Sequence, residues 1–525
     1  MFPVRLFSLF VFILPGFLEG ARILSLFPIP SQSHYYHALP YLKSLAALGH
    51  EITSVTPFPS KEPGNNIQEI PVPEVFDSFD ELLKAMTMPM PNTWQFFEVT
   101  NEFVYNITKV VFNNDGVRRK VLRPGKVQFD LIIVDLWKYD ALYGLAAYFE
   151  APIIGMAPCG TDWKIDEMVG NPSPMSYLQS PSSYFYDLET YVGRLGHFVE
   201  RFISWMNWHW RYESKHKGLY RKYFPEIADK KPLSEISQNF ALILVNQHFT
   251  LAPPRPYAPN VIEVGGMHIN QETKPLPKDL EEFIQGAGEP GVIYFSLGTN
   301  VRYKNLVEDR KRILIETFAS LPQRILWKFE DEKLSEKPSN VLISKWFPQQ
   351  DILAHPKVKL FITHGGMQST IESIHHGKPM LGLPFFYDQF ANMEHIKRQG
   401  LGLVLNYKDM TEEEFKDSIL RLLTEKSFDV TARTTAARYR DQPMNPLDTA
   451  VWWTNYVLRH RGAKYMRVTG RELDFFTYHS LDVLSTFILA LVVIVLIIIL
   501  SLVKVFKMVF PSFPVNKRKQ KQKVI

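Results

Sequence analysis

Residues 22–27 form a short apolar run, read as a buried strand, and a loop with Pro28, Pro30 and Ser33 follows. From about 34 to 48, apolar Leu39, Leu42, Leu45 and Ala46 recur at helical spacing until Gly49 stops them. Residues 51–56 read as a second strand, which completes a βαβ unit. Further strand-like runs lie at 129–134, 240–245, 292–297, 324–329, 360–363 and 380–383. Helix-length segments separate them, the pattern of parallel sheets flanked by helices. They are too many for one compact sheet, and a proline-rich passage at 252–259 lies near the midpoint. The pattern therefore predicts two doubly wound α/β domains, 21–245 and 286–445, joined through 246–285 and followed by C-terminal helices and a juxtamembrane segment over 446–482.

Two stretches have a different pattern. Arg5 precedes an apolar run over 6–18, too short to span a bilayer, which ends at Glu19-Gly20-Ala21; residues 1–20 read as a signal peptide. Residues 483–503 carry no charge, and at about 1.5 Å per helical residue they cross a hydrocarbon layer of roughly 30 Å. Lys504, Lys507 and the basic tail 504–525 follow, which places the tail in the cytosol and the body on the lumenal or outer side. Between Trp163 and Phe224 aromatic residues such as Phe202, Trp205, Trp208, Trp210 and Tyr212 mix with Arg and Lys. They read as helices packed on the first domain, with an acceptor-site wall or a membrane-facing surface as the alternative.

Charge excludes one class of partner. Lys and Arg number 59 against 54 acidic residues, a net +5. Lys517, Arg518, Lys519, Lys521 and Lys523 account for that surplus, so the folded part has no basic footprint for nucleic acid. The single cysteine, Cys159, excludes an intrachain disulfide framework and a cysteine-rich zinc module. Asn106-Ile107-Thr108 is a glycosylation sequon, whereas Asn171-Pro172-Ser173 is blocked by its proline. Lys521 and Lys523 resemble the retrieval signal that returns type I membrane proteins to the endoplasmic reticulum.

Several apparent motifs carry no chemistry. Residues 286–291 satisfy G-x-G-x-x-G, but the strand follows instead of preceding, and Pro290 sits inside, so this is a loop. His34 with His37, and His375 with His376, lack any H-E-x-x-H context, so no metal site is expected. No Asp-x-Asp is present either, which argues against a metal-dependent nucleotide-sugar transferase.

The segment 346–389 is different. Trp346-Phe347-Pro348-Gln349-Gln350-Asp351 leads to the strand 360–363, then His364-Gly365-Gly366-Met367-Gln368-Ser369-Thr370-Ile371-Glu372, and finally Asp388-Gln389. A strand, two glycines and a helix start make an anion site, where bare N–H groups and the helix dipole favour a phosphate. Ser369 and Glu372 share one helix face, and the carboxylate suits two neighbouring sugar hydroxyls. Trp346 offers a flat face to a base.

This segment resembles the signature of the UDP-glycosyltransferase family, and the resemblance spans essentially the whole chain. Phe295-Ser296-Leu297-Gly298-Thr299-Asn300, Val264-Gly265-Gly266 and Ala450-Val451-Trp452-Trp453 also match, the last looking most like the insect branch. The resemblance implies two Rossmann-like domains facing a cleft (the GT-B fold). It implies a metal-free, inverting transfer of a sugar, glucose by likeness to insect members, to a small lipophilic acceptor. No cofactor is implied beyond the UDP-sugar co-substrate. Membrane-tethered relatives often associate, so a homo-oligomer is among the implied partners.

By the same resemblance Trp346 stacks on uracil, Gln349 holds the nucleoside and Glu372 binds the ribose. Thr299, His364, Gly365, Gly366 and Ser369 surround the diphosphate, and Asp388 and Gln389 hold the transferred sugar. Gln368 stands where relatives vary. The family's catalytic pair maps to His34 and Asp135, both after apolar strands, where ligands of parallel α/β sheets collect. His34 opens a helix, whose positive end keeps an imidazole neutral and able to accept a proton. His37 and Asp140 remain rivals for these two roles. UDP-glucuronate or UDP-galactose as donor, and a binding protein without catalysis, remain alternative readings.

Overall fold

A computed structural model describes residues 20–60, 62–79, 82, 93–123, 125, 127–183, 187–301, 303, 306–330, 334 and 337–510. The expected signal peptide up to residue 19 and the terminal lysines, Lys521 and Lys523 among them, lie outside the described residues.

Seven parallel strands form the first sheet: β1 (Arg22–Leu26), β2 (Glu51–Thr56), β3 (Ile67–Pro71), β4 (Leu131–Asp135), β5 (Ile153–Ala157), β6 (Phe240–Val245) and β7 (Val261–Glu263). Their order in space is β3-β2-β1-β4-β5-β6-β7. Six more form the second: β8 (Val292–Ser296), β9 (Arg324–Lys328), β10 (Val341–Ser344), β11 (Val358–Thr363), β12 (Met380–Gly382) and β13 (Gly402–Val404), in the order β10-β9-β8-β11-β12-β13. The central strands β4, β5, β6 and β8 are buried along their whole length, because helices cover both faces of each sheet.

Five of these strands escape the apolar pattern. β3 is a sheet edge whose Gln68 and Glu69 break the run. β5 follows Pro152 and contains Gly155, where a Cβ would meet Leu136 Cδ1 at 2.6 Å and Ile243 Cδ1 at 2.9 Å. β7, β10 and β13 have three or four residues each, too short for periodicity to show.

The helices used below are α1 (Gln32–Ala47), α2 (Thr93–Asn113), α3 (Tyr191–Asn207), α4 (Met367–His375), α5 (Gln389–Arg398), α6 (Pro446–Arg459) and α7 (Leu481–Val509). The aromatic segment forms helices on the first sheet's side, among them α3. Within the expected linker 246–285, β7 joins the first sheet and Lys278–Gln285 is helical, with Leu280 and Ile284 in the second core. α6 returns to the first: Ala450 and Val457 are buried beside β1 and α1, and Tyr41 Oη and Thr454 Oγ1 are 2.6 Å apart. The G-x-G-x-x-G of 286–291 lies in the turn between the helix Lys278–Gln285 and β8.

α7 belongs to a second unit, Thr469–Ile525. Its 29 residues are long and apolar enough to cross a membrane.

Both sheets reverse their strand order at one place. β1 lies beside β4, with Leu26 opposite Val134, and β8 beside β11, with Ser296 opposite Thr363. Such switch points open a crevice at the carboxyl ends of the strands.

Candidate active site

A cleft of about 590 Å³ is lined from both sheets. On the first side, α1 begins just past β1, with Ser31 as its N-cap, and His34 falls in its opening turn. Asp135 is the last residue of the neighbouring β4. The switch point thus brings the two together: His34 Nδ1 lies 3.0 Å from Asp135 Oδ2, both side chains buried, at 7% and 1% exposure. An ionised carboxylate only accepts, so Nδ1–H donates and Nε2 keeps its lone pair for the cleft. Trp137 stands edge-on to the His34 ring at 5.5 Å.

The rivals are engaged elsewhere. His37 Nδ1 is 3.4 Å from His268 Nδ1, and burial, with the charges of His268 and His34, pushes its pKa well down. Asp140 accepts from Lys164 Nζ at 2.8 Å.

On the second side Thr299, Trp346, Gln349, His364, Gly366, Ser369, Glu372, Asp388 and Gln389 all line the same cleft. Gly365 stands behind them at φ +82, where a Cβ would lie 2.4 Å from Met393 Cγ; glycine alone fits that turn. It lets Gly366 cap α4, whose first residues Met367, Gln368 and Ser369 line the cleft, and a helix start leaves its first N–H groups without partners inside the helix. Glu372 Oε2 accepts from Gln349 Nε2 at 2.5 Å, and Oε1 from Gln350 Nε2 at 3.3 Å, with His268 Nε2 at 3.4 Å. Gln349 Nε2 also reaches Ser369 Oγ at 3.1 Å. At the other end Gln389 Oε1 accepts from the Phe385 and Phe386 amides at 2.8 and 3.2 Å. Asn392 donates to both Asp388 Oδ2 and the Gly365 carbonyl, tying those two motif residues together. Burial raises the pKa of Asp388.

Asn106 lies apart, half-buried on α2, with Ile107 and Thr108 of its sequon buried. The sequon is therefore in a helix instead of a surface loop.

Four residues had no motif to announce them. Lys328, the last residue of β9, donates to the Gly298 carbonyl at 2.6 Å and places Nζ 5.4 Å from the centre of the Trp346 ring. Its position at a strand's carboxyl end was a usable signal. Trp137 and Tyr387, from opposite sides, stack at 5.0 Å and 30°, and Tyr387 has a left-handed φ of 56. His268 lies between His37 and Glu372, its Nδ1 3.4 Å from His37 Nδ1 and its Nε2 3.4 Å from Glu372 Oε1. Asn300, already noted in a motif, bonds Ser31 Oγ across the same gap at 3.0 Å.

Burial, with the Lys328 charge, pushes the His364 imidazole down to about 3, and burial pushes His216 down to about 4. In the unfolded chain both protonate near their ordinary value of 6.5. Between those limits the unfolded state binds more protons, so stability is full above about 6.5 and is lost as pH falls. The melting temperature is expected to be several degrees lower at pH 5 than at pH 7; an equal or higher value at pH 5 would contradict this account.

A family profile described as "UDP-glucoronosyl and UDP-glucosyl transferase" matches residues 26–520. UDP-glucosyltransferase 2 of Dactylopius coccus is 35% identical over 478 residues, covering 89% of this chain and 90% of that protein. UDP-glucuronosyltransferase 2A3 of Cavia porcellus is 32% identical, covering 88% of each. Among solved structures, the spinosyn forosaminyltransferase SpnP shares the fold with TM-score 0.56 at 18% identity, over 84% of this chain and 100% of that one. The two facing sheets are the GT-B arrangement of these glycosyltransferases.

Proposed function

The chain belongs to the UDP-glucuronosyl and UDP-glucosyl transferase family, and from that premise we propose that it moves glucose from UDP-glucose to a hydroxyl of a small lipophilic acceptor, with inversion. One observation carries the reading: the free Nε2 of His34 and the N-terminus of α4 open onto one cleft. In the proposed mechanism Nε2 takes the proton of the acceptor hydroxyl as that oxygen attacks the anomeric carbon. The bond from that carbon to the diphosphate oxygen breaks, and UDP leaves with the electron pair. Asp135 holds the ring in the required tautomer and stabilises the imidazolium that forms. The α4 N–H groups and the Lys328 ammonium receive the charge developing on the diphosphate. Trp346 carries the uracil, Gln349 and Glu372 the nucleoside, and Asp388 and Gln389 the sugar. Apolar Ile29, Phe79, Leu82 and Phe103 line the side next to His34 and suit a lipophilic acceptor.

Glucose is favoured over glucuronate by the sugar end of the cleft. Asp388, with Cys159 and Gln389 beside it, would face a donor carboxylate with another acid. The insect relative is also named as a glucosyltransferase. α7 supports attachment to a membrane by a single span, and the signal-peptide pattern and basic tail of the sequence favour a body on the lumenal side of the endoplasmic reticulum.

The test supplies membranes bearing the chain with UDP-glucose, UDP-glucuronate or UDP-galactose and a set of phenols, and measures UDP release. Acceptor-dependent release fastest with UDP-glucose is expected. Faster release with another donor overturns the choice of sugar; UDP binding without acceptor-dependent release would favour a non-catalytic binder.

A further inference from the structure

A second cavity, of about 50 Å³, borders the cleft. Trp137 and Tyr387 line both spaces, and α2 lends Phe103 to the cleft and Val104 to the cavity. The Trp137 ring that the cavity shares is the one standing edge-on to His34 at 5.5 Å. One water needs roughly 10–15 Å³ of such space, so a group of a few heavy atoms fits. The walls are apolar at Phe97, Ile165 and Met168. α3 adds polar His197, Glu200 and Ser204, while its Phe198, Phe202 and Trp205 stay exposed.

Most charged groups of this cavity are already paired. Asp162 Oδ1 accepts from the Lys164 and Ile165 amides at 3.0 Å each, and Glu200 Oε2 from Ser183 Oγ at 2.7 Å. Lys164 Nζ donates to Asp140 at 2.8 Å, and Arg201 Nη1 to the Ser173 carbonyl and hydroxyl at 3.0 and 3.1 Å. Lys138 differs. Its Nζ makes no hydrogen bond among the described residues: Asp162 Oδ2 stands 3.8 Å off, and the centre of the Trp163 ring 5.7 Å. The side chain is only 20% exposed, and burial lowers its pKa, which the Asp162 charge offsets in part. Lys138 also holds a left-handed φ of 64, a backbone that lysine seldom adopts. A buried ammonium without a close acceptor, on a strained turn and facing a cavity, points to an anionic ligand. We propose that the cavity takes an anionic group of the acceptor, a carboxylate foremost, on the Lys138 ammonium while the acceptor hydroxyl lies at His34. The acceptor class then narrows to hydroxylated aromatic or lipophilic acids, and the Trp137–Tyr387 stack is the partition that the acid group passes. The inference rests on the transferase reading above.

The experiment gives membranes bearing the full chain UDP-glucose and one of several hydroxy acids: hydroxybenzoate, hydroxyphenylpropanoate or hydroxynaphthoate. Each acid is compared with its own methyl ester, and UDP release is measured. With at least one pair the acid is expected to exceed its ester in kcat/KM by about 10-fold or more, as a hydrogen bond to a charged group allows. Lys138→Met is expected to bring that pair together by raising the KM of the acid, and Lys138→Arg to keep the acid ahead. Esters or neutral phenols that match or outrun every acid overturn the inference and leave the transferase standing. Equal losses for acid and ester in Lys138→Met also overturn it, since the residue would then serve the fold alone. Acetate that speeds the ester would mean that the cavity holds a free anion and not the acceptor's own, which again overturns it. So would a loss in Lys138→Met confined to UDP-glucuronate with neutral phenols, because the ammonium would then meet the donor. No release with any acid, ester or phenol removes the transferase reading and this inference with it.

Discussion

Replacing His34 with alanine is expected to lower acceptor-dependent UDP release by about 10²–10⁴-fold, the range a positioned general base contributes, while UDP affinity stays unchanged. The division follows from the architecture. His34 belongs to the first sheet, on α1, whereas the nucleotide residues hang from β8, β9, β10 and β11 of the second. Removing the imidazole therefore takes away the proton acceptor without touching the proposed UDP contacts. The side chain is buried, so the melting temperature of the variant must be checked beside its rate. Asp135→Asn is a finer probe. An amide can present its NH₂ to Nδ1 and reverse the tautomer, so the proton would sit on Nε2, where it is useless to a base. A loss close to that of His34→Ala is expected. Full activity in His34→Ala would remove this residue from the mechanism and turn attention to His37, which also lines the cleft.

The pairing of His34 with Asp135 was implied by the family resemblance, and topology explains why the two meet. Both follow strands whose apolar runs are plain, and a parallel sheet that reverses its order between two strands must bring their ends together. In the string from Trp346 to Gln389 the indole, the two glycines before a helix and the Ser369–Glu372 face carry chemistry that suits a nucleotide sugar, whereas the roles of Gln349, Asp388 and Gln389 came from the family resemblance. Strands such as β5 were hidden because proline and glycine interrupt a short run that tertiary packing nevertheless buries. Contacts across the cleft were hidden more deeply. Nothing local says that Trp137 stacks on Tyr387 or that His268 reaches Glu372, since those meetings depend on how two separately folded sheets face each other. The aromatic stretch around α3 was visible as composition, but its meaning required knowing which side of the helix is inside. Only burial distinguishes a stripe of Phe and Trp that fills a core from one that faces outward.

Glu372→Ala is expected to raise the KM for the UDP-sugar by about 10²-fold and to leave kcat at saturation within a few-fold, opposite in kind to the His34 effect. A hydrogen bond to a charged group contributes roughly 1.5–3 kcal/mol, and tenfold in affinity is about 1.4 kcal/mol. Two ribose hydroxyls on one carboxylate would thus allow more than 10²-fold. The lower figure is expected because Glu372 already accepts from Gln349 and Gln350, so the ribose exchanges one set of partners for another. The ribose lies away from the bond that breaks, and its contacts are the same before and during the reaction, so the loss falls on binding and not on the chemical step. Glu372→Gln, which keeps one acceptor oxygen without the charge, should lose less than alanine. Calorimetric titration with UDP separates this from any change in rate. A fall in kcat with KM unchanged would mean that Glu372 acts in the transition state, and the carboxylate would then have to sit near the reacting sugar instead of the nucleoside.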